Sequence, residues 1–158
     1  SPNRPKSRGF VEIKSSNYLD DPKIQFNYLE HEEDLQQMRD SVKIANKIFK
    51  QESMKKYLGD QLRPGYDATD NELDDIIRNT ADTAYHPSCT NKMGTDSMSV
   101  VDEETKVYGV ENLRVIDSSI MPDILSGNLN AGTIMIAEKA ADMILGKQEA
   151  PIEANYYS

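Results

Sequence analysis

The 158-residue chain carries 18 basic and 27 acidic residues, for a net charge of −9. That sign argues against a nucleic-acid partner, which needs a basic face against phosphate. One cysteine excludes an internal disulfide, and two histidines with one cysteine make a zinc site of such ligands improbable.

The opening Ser1-Pro2-Asn3-Arg4-Pro5 lacks an initiator Met and reads as a cut from a longer protein. No apolar run is long enough for a membrane-spanning helix, and there is no signal-peptide pattern, so a soluble intracellular domain is expected. From Arg8 to Lys14 apolar and polar residues alternate, which predicts a strand with one buried face. Turn residues follow at Ser15-Ser16-Asn17 and Asp20-Asp21-Pro22, and Lys23–Tyr28 alternates again as a second strand.

At Glu32 the period changes. Leu35, Met38, Val42, Ala45, Ile48 and Phe49 recur at helical spacing and form one apolar stripe. Glu32, Glu33 and Asp34 lie at the end of this helix where its dipole favours acids, and Lys47, Lys50, Lys55 and Lys56 lie toward the other. Leu62-Arg63-Pro64-Gly65 closes the region. Thr69-Asp70-Asn71-Glu72 is a capping box, opening a short helix whose apolar side is Leu73, Ile76, Ile77 and Ala81.

Past His86 the chain reads as loop as far as Thr105. Two short strands are predicted at 106–109 and 113–116. A last helix starts near Asn128 or Asn130, buries Thr133, Ile136, Ala137, Ala140 and Ile144, and stops at Gly146. Asparagine capping is expected to explain at least one of Asn128 and Asn130. The order predicts an α+β fold, an antiparallel sheet packed with helices. Residues 1–85 form the sheet and helix part, 86–146 a loop-rich segment with few core residues, and 147–158 a polar tail.

Two features carry chemistry. Pro87 holds its own φ and pushes His86 away from helical geometry, which fixes a group whose ordinary pKa lies near neutrality and can serve as a base; a structural or surface histidine is the competing reading. The helix start after Asn128 offers free N–H groups to an anion. His31 belongs to a solvated, acidic helix start, and Cys89 reads as a small buried side chain. Neither a Gly-x-Gly-x-x-Gly fingerprint nor a P-loop occurs, so the chain shows no means of holding a nucleotide by itself.

Tyr85-His86-Pro87-Ser88-Cys89-Thr90-Asn91-Lys92-Met93-Gly94, the run from Val107 to Pro122, and the run from Gly127 to Ile144 resemble the C-terminal part of the glucose–methanol–choline (GMC) oxidoreductases, most closely the bacterial choline-oxidising members. The opening residues match the usual start of that part, so the resemblance runs from Ser1 to Gly146. It implies the C-terminal, substrate-binding piece of an enzyme that binds FAD through an N-terminal domain of the same protein and is inactive without it. The implied reaction oxidises a primary alcohol, choline to betaine aldehyde, by proton abstraction and hydride transfer to flavin. Another primary alcohol, or a non-catalytic acidic interaction domain, is the alternative. The resemblance places the catalytic roles on His86 and Asn128, a substrate-cavity role on Tyr85, and FAD contacts on Asp117, Asn130 and Ala131. Asn91 departs from many relatives. The implied location is cytoplasmic, with peripheral attachment at the inner membrane as a variant for the full-length enzyme.

Overall fold

A computed structural model describes residues 3–62, 64, 65 and 67–147. The chain divides into two units, Ser1–Ala84 and Tyr85–Ser158. All of the expected polar tail beyond Lys147 lies outside the described residues.

In the first unit, strand β1 (Phe10–Glu12) pairs antiparallel with β2 (Lys23–Gln25), with Val11 opposite Ile24. The strands are where alternation predicts them, but the expected buried face is absent: all six residues are exposed. Alternation buries a face only where another layer covers it, and a lone two-stranded ribbon supplies none. Phe26 and Tyr28, just past β2, stack with ring centroids 5.0 Å apart.

Helix α1 (Glu32–Phe49) starts at His31, whose Nδ1 accepts the Glu33 N–H at 3.2 Å. This histidine is therefore an N-cap. Helix α2 (Asp70–Thr80) starts with the predicted capping box: the Thr69 N–H donates to Glu72 at 2.8 Å, and Thr69 Oγ1 accepts from the Glu72 N–H. The two apolar stripes meet in a core of Leu35, Leu73 and Ile77, with Leu29, Met38, Val42 and Ala68 against it. Each such Leu or Ile contributes about 1.5–3 kcal/mol by leaving water. The stripe on α1 is longer than its partner helix, and its last members, Ile48 and Phe49, are exposed. A 3₁₀ turn, Glu52–Tyr57, follows α1 and has no counterpart in the sequence reading.

Two polar features tie this unit together. Arg39, 8% exposed, donates to both carboxylate oxygens of Asp74 at 2.7 and 2.8 Å and to Glu32 at 2.7 Å, joining α1 to α2. Asp34, expected at a solvated helix start, is 2% exposed. Its carboxylate accepts from the Lys6 and Ser7 N–H groups and the Ser7 hydroxyl, all within 2.7 Å. Burial opposes its charge, but these donors outweigh that and hold the carboxyl below its ordinary pKa.

The second unit corrects the expectation of few core residues. Val101, Ile120, Met121, Leu129 and Ala140 are all buried there. The strands predicted at 106–109 and 113–116 are only isolated bridges, Lys106 with Arg114 and Val101 with Val107. Asn112, at a left-handed φ of 59°, turns the chain back too soon for a ladder to extend. Helix α3 (Asn130–Ile144) ends at Gly146, where φ is 67°. The Lys147 N–H reaches the Asp142 carbonyl and the Gly146 N–H that of Met143, a Schellman stop. Of the expected α3 face, Ala140 is buried and Thr133 and Ile136 are half-buried, while Ala137 and Ile144 are exposed. The architecture is α+β, as expected. Among the described residues no helix is long and apolar enough to cross a membrane.

Candidate functional site

Every residue singled out for chemistry lies in the second unit. The segments that carry them contact one short turn or contain it. Asp117 caps a 3₁₀ turn, Ser118–Ile120, its carboxylate accepting the Ser119 N–H at 2.7 Å. An acid in that position neutralises orphan donors at a helical start.

The histidine-bearing loop hangs on this turn. The Cys89, Asn91 and Met93 N–H groups donate to the Ser118, Ser119 and Ile120 carbonyls at 3.3, 3.0 and 2.8 Å. Side chains add to this ladder. The Ser118 hydroxyl donates to the Pro87 carbonyl at 3.2 Å, and the Asn91 amide donates to Ser119 Oγ at 3.0 Å. Tyr85 and Cys89 both take left-handed backbone, at φ 59° and 71°. Such conformations cost about 1–2 kcal/mol in a non-glycine residue, so the surrounding bonds must hold the loop in shape. Tyr85 and His86 are exposed, and Cys89 is half-buried.

Helix α3 packs on the same turn from its other side in sequence. Gly132 marks a close approach of α3 to the segment just after the turn: a Cβ there would lie 2.5 Å from Leu125 Cδ1 and 3.3 Å from Met121 Cε. Its N-cap is Leu129, with no side-chain capping bond. This corrects the expectation that an asparagine caps the helix. Asn128 precedes the cap, Asn130 opens the first turn, and both side chains are exposed, as is Ala131. Leu129 takes the cap position because its side chain is buried, 5% exposed, which anchors the helix start by packing rather than by a polar cap.

The structure thus hangs two of the three motif segments, the His86 loop and α3, on the third, the Asp117 turn. An uncapped helix start suits an anionic or electron-rich group, because first-turn N–H groups lack a side-chain acceptor. Asp117, read as a cofactor contact, has one carboxylate oxygen already engaged by Ser119. Ser118, Ser119 and Asn91 escaped the sequence reading as working residues. An acid followed by two serines is a cap signal that could have marked the turn. Among the described residues no group of three His, Cys, Asp or Glu side chains is placed to hold a metal.

Comparison with known proteins gives consistent results. The family model of the GMC oxidoreductases matches residues 5–137. The chain is 53% identical over 153 residues to an oxygen-dependent choline dehydrogenase of Vibrio vulnificus, covering 95% of this chain and 27% of that protein. A protein of the same description from Pseudomonas fluorescens is 52% identical and covers 98% and 28%. Among solved structures, pyridoxine 4-oxidase from Mesorbium loti superposes with a TM-score of 0.84 at 30% identity, over 93% of this chain and 29% of that one. An FAD-dependent oxidoreductase from Chaetomium thermophilum gives 0.81 at 36% identity, over 90% and 25%. The chain therefore spans little more than a quarter of these relatives' length.

Proposed function

The chain belongs to the GMC oxidoreductase family, and from that premise we propose that it supplies the substrate-side half of the active site of an FAD-dependent alcohol dehydrogenase acting on choline. The observation that carries this reading is the shared turn: Ser118–Ile120 supports the His86 loop and packs against α3. A base and a polar partner from two distant stretches of sequence need such a common support to act on one alcohol oxygen.

In this reading His86 takes or holds the hydroxyl proton, and Asn128 hydrogen-bonds the alcohol oxygen and fixes its direction. FAD, when bound, supplies the hydride acceptor. The chain's own residues toward it would be Asp117, Asn130 and Ala131, with most of the cofactor held by the N-terminal FAD domain of the same protein. The start of α3 fits that assignment, because its first-turn N–H groups have no side-chain cap and carry the sign that favours a reduced flavin. Tyr85, 77% exposed, can offer its ring face to a trimethylammonium group.

The choice of choline rests on the choline dehydrogenases to which the chain is similar and on Tyr85. The test compares choline with its neutral isostere, 3,3-dimethylbutan-1-ol, in the full-length flavin-loaded enzyme, following flavin bleaching. Choline should bleach the flavin and be preferred, and Tyr85→Leu should erase about 1–2 kcal/mol of that preference. Bleaching by other primary alcohols but not by choline rejects the substrate. Equal weakening of both substrates by Tyr85→Leu reduces Tyr85 to packing.

A further inference from the structure

We propose that Ser118 and Ser119 are positioning residues for His86, acting through Pro87 and Asn91. The inference rests on the proposed role of His86 and goes beyond it by naming what sets the histidine's place. Proline has no N–H, so its carbonyl is the single backbone hydrogen-bonding group that Pro87 can offer. That carbonyl accepts from the Ser118 hydroxyl at 3.2 Å, one residue from His86. Downstream, the ladder from Cys89 to Met93 is made by backbone groups and does not depend on the Ser118 hydroxyl. The Ser118 hydroxyl therefore extends the anchor past that ladder, toward the histidine.

Ser119 closes the other side. Its Oγ accepts from the Asn91 side chain at 3.0 Å, and its N–H is held by Asp117 at 2.7 Å. The Asn91–Ser119 bond is half-buried and so shielded in part from competing water, whereas the Ser118–Pro87 bond is exposed. The two hydroxyls thus clip the loop at Pro87 and at Asn91, on either side of the strained Cys89. Neither hydroxyl needs to touch the substrate. Their effect is on where the imidazole stands, and small misplacements of a reacting group are costly.

The test uses the full-length flavin-loaded enzyme with Ser118→Ala, Ser118→Thr, Asn91→Ala, Ser119→Ala and the Asn91/Ser119 double variant, beside His86→Ala. Ser118→Ala should lower kcat by roughly 10–100-fold, with KM, bound flavin and melting temperature little changed. Ser118→Thr, which keeps the hydroxyl, should restore most of the rate. Asn91→Ala and Ser119→Ala should be non-additive, as partners in one bond are. A second readout needs no flavin: in this chain with labelled histidine, Ser118→Ala should broaden the range of His86 imidazole motion seen by NMR relaxation and leave His31 unchanged. Unchanged kcat in Ser118→Ala, with His86→Ala severely impaired, overturns the positioning role and leaves the role of His86 standing. Loss of bound flavin or melting temperature with kcat per flavin intact also overturns it. Normal turnover in His86→Ala removes the premise, and the inference with it.

Discussion

The two units of this chain are held together by different means. In residues 3–84 two amphipathic helices bury Leu35, Leu73 and Ile77 against each other, and ion pairs from Arg39 join their flanks. In residues 85–147 the loop around His86 is held by backbone bonds to one turn and by two hydroxyls, against the cost of residues in left-handed conformations. A periodic core tolerates variation around it and makes a stable base. An irregular, hydrogen-bonded loop can set a side chain in a geometry no helix or strand would give it, which is why functional residues are common on such loops. The difference marks a division of labour: a periodic helix-pair core that stabilises the first unit, and in the second, beside its own buried residues, an irregular loop that carries the chemistry.

The largest expected effect tests the first half of that division. Leu35→Ala should destabilise the chain by about 2–5 kcal/mol, read from urea unfolding. In the full-length enzyme it should leave the substrate dependence of the folded fraction unchanged. A cost near zero would mean that the helix pair is not the stabilising core.

Next in size is a contrast within the second unit. Asn128→Ala should slow flavin reduction by an amount worth about 1.5–3 kcal/mol, the scale of a lost hydrogen bond to a charged group. Asn130→Ala, in the first turn of α3, should act mainly on flavin binding or stability. Stopped-flow reduction of both variants decides between them. Equal loss, or loss only in Asn130→Ala, moves the alcohol contact away from Asn128.

The smallest effect sharpens the picture of the first unit. The Asp34 carboxyl is held below its ordinary pKa of about 3.9, so its ionised form is the one the fold favours. Its contribution is complete above about pH 3.9 and is lost as pH falls through the lower folded value. Asp34→Asn should therefore lower stability at neutral pH and flatten the acid limb of a stability profile. Parallel acid limbs in the two proteins would show that the Lys6 and Ser7 donors do not favour the charge.

The same contrast explains what could be read from sequence. Thr69 and Glu72 make a capping box from a local pattern, helical spacing puts Leu35 and Leu73 each on the apolar stripe of its own helix, and Gly146 ends α3 as a left-handed stop. Those features depend on neighbours within a few residues. The exposed faces of β1 and β2 and the exposed Ile48 and Phe49 depended on what lies opposite them, which periodicity does not encode. Asp34 was misread for a related reason: its partners, Lys6 and Ser7, are distant in sequence and reach it through backbone groups that carry no residue signature. In the second unit His86 and Asn128 were picked out by motif, yet the turn that supports their segments was not. Its bonds run from Cys89, Asn91 and Met93 to carbonyls some thirty residues away. The cap at Leu129 was missed because packing, not a polar side chain, fixes the start of α3.

The account stands most directly on His86 as the group that handles the substrate proton. The decisive measurement is anaerobic stopped-flow reduction of the bound flavin by choline, in the full-length enzyme and in His86→Ala. The account predicts that flavin stays bound in the variant while its reduction efficiency falls by roughly 10²–10⁴-fold, the scale of a positioned acid–base group. Near-normal reduction in His86→Ala, with flavin retained, would contradict it.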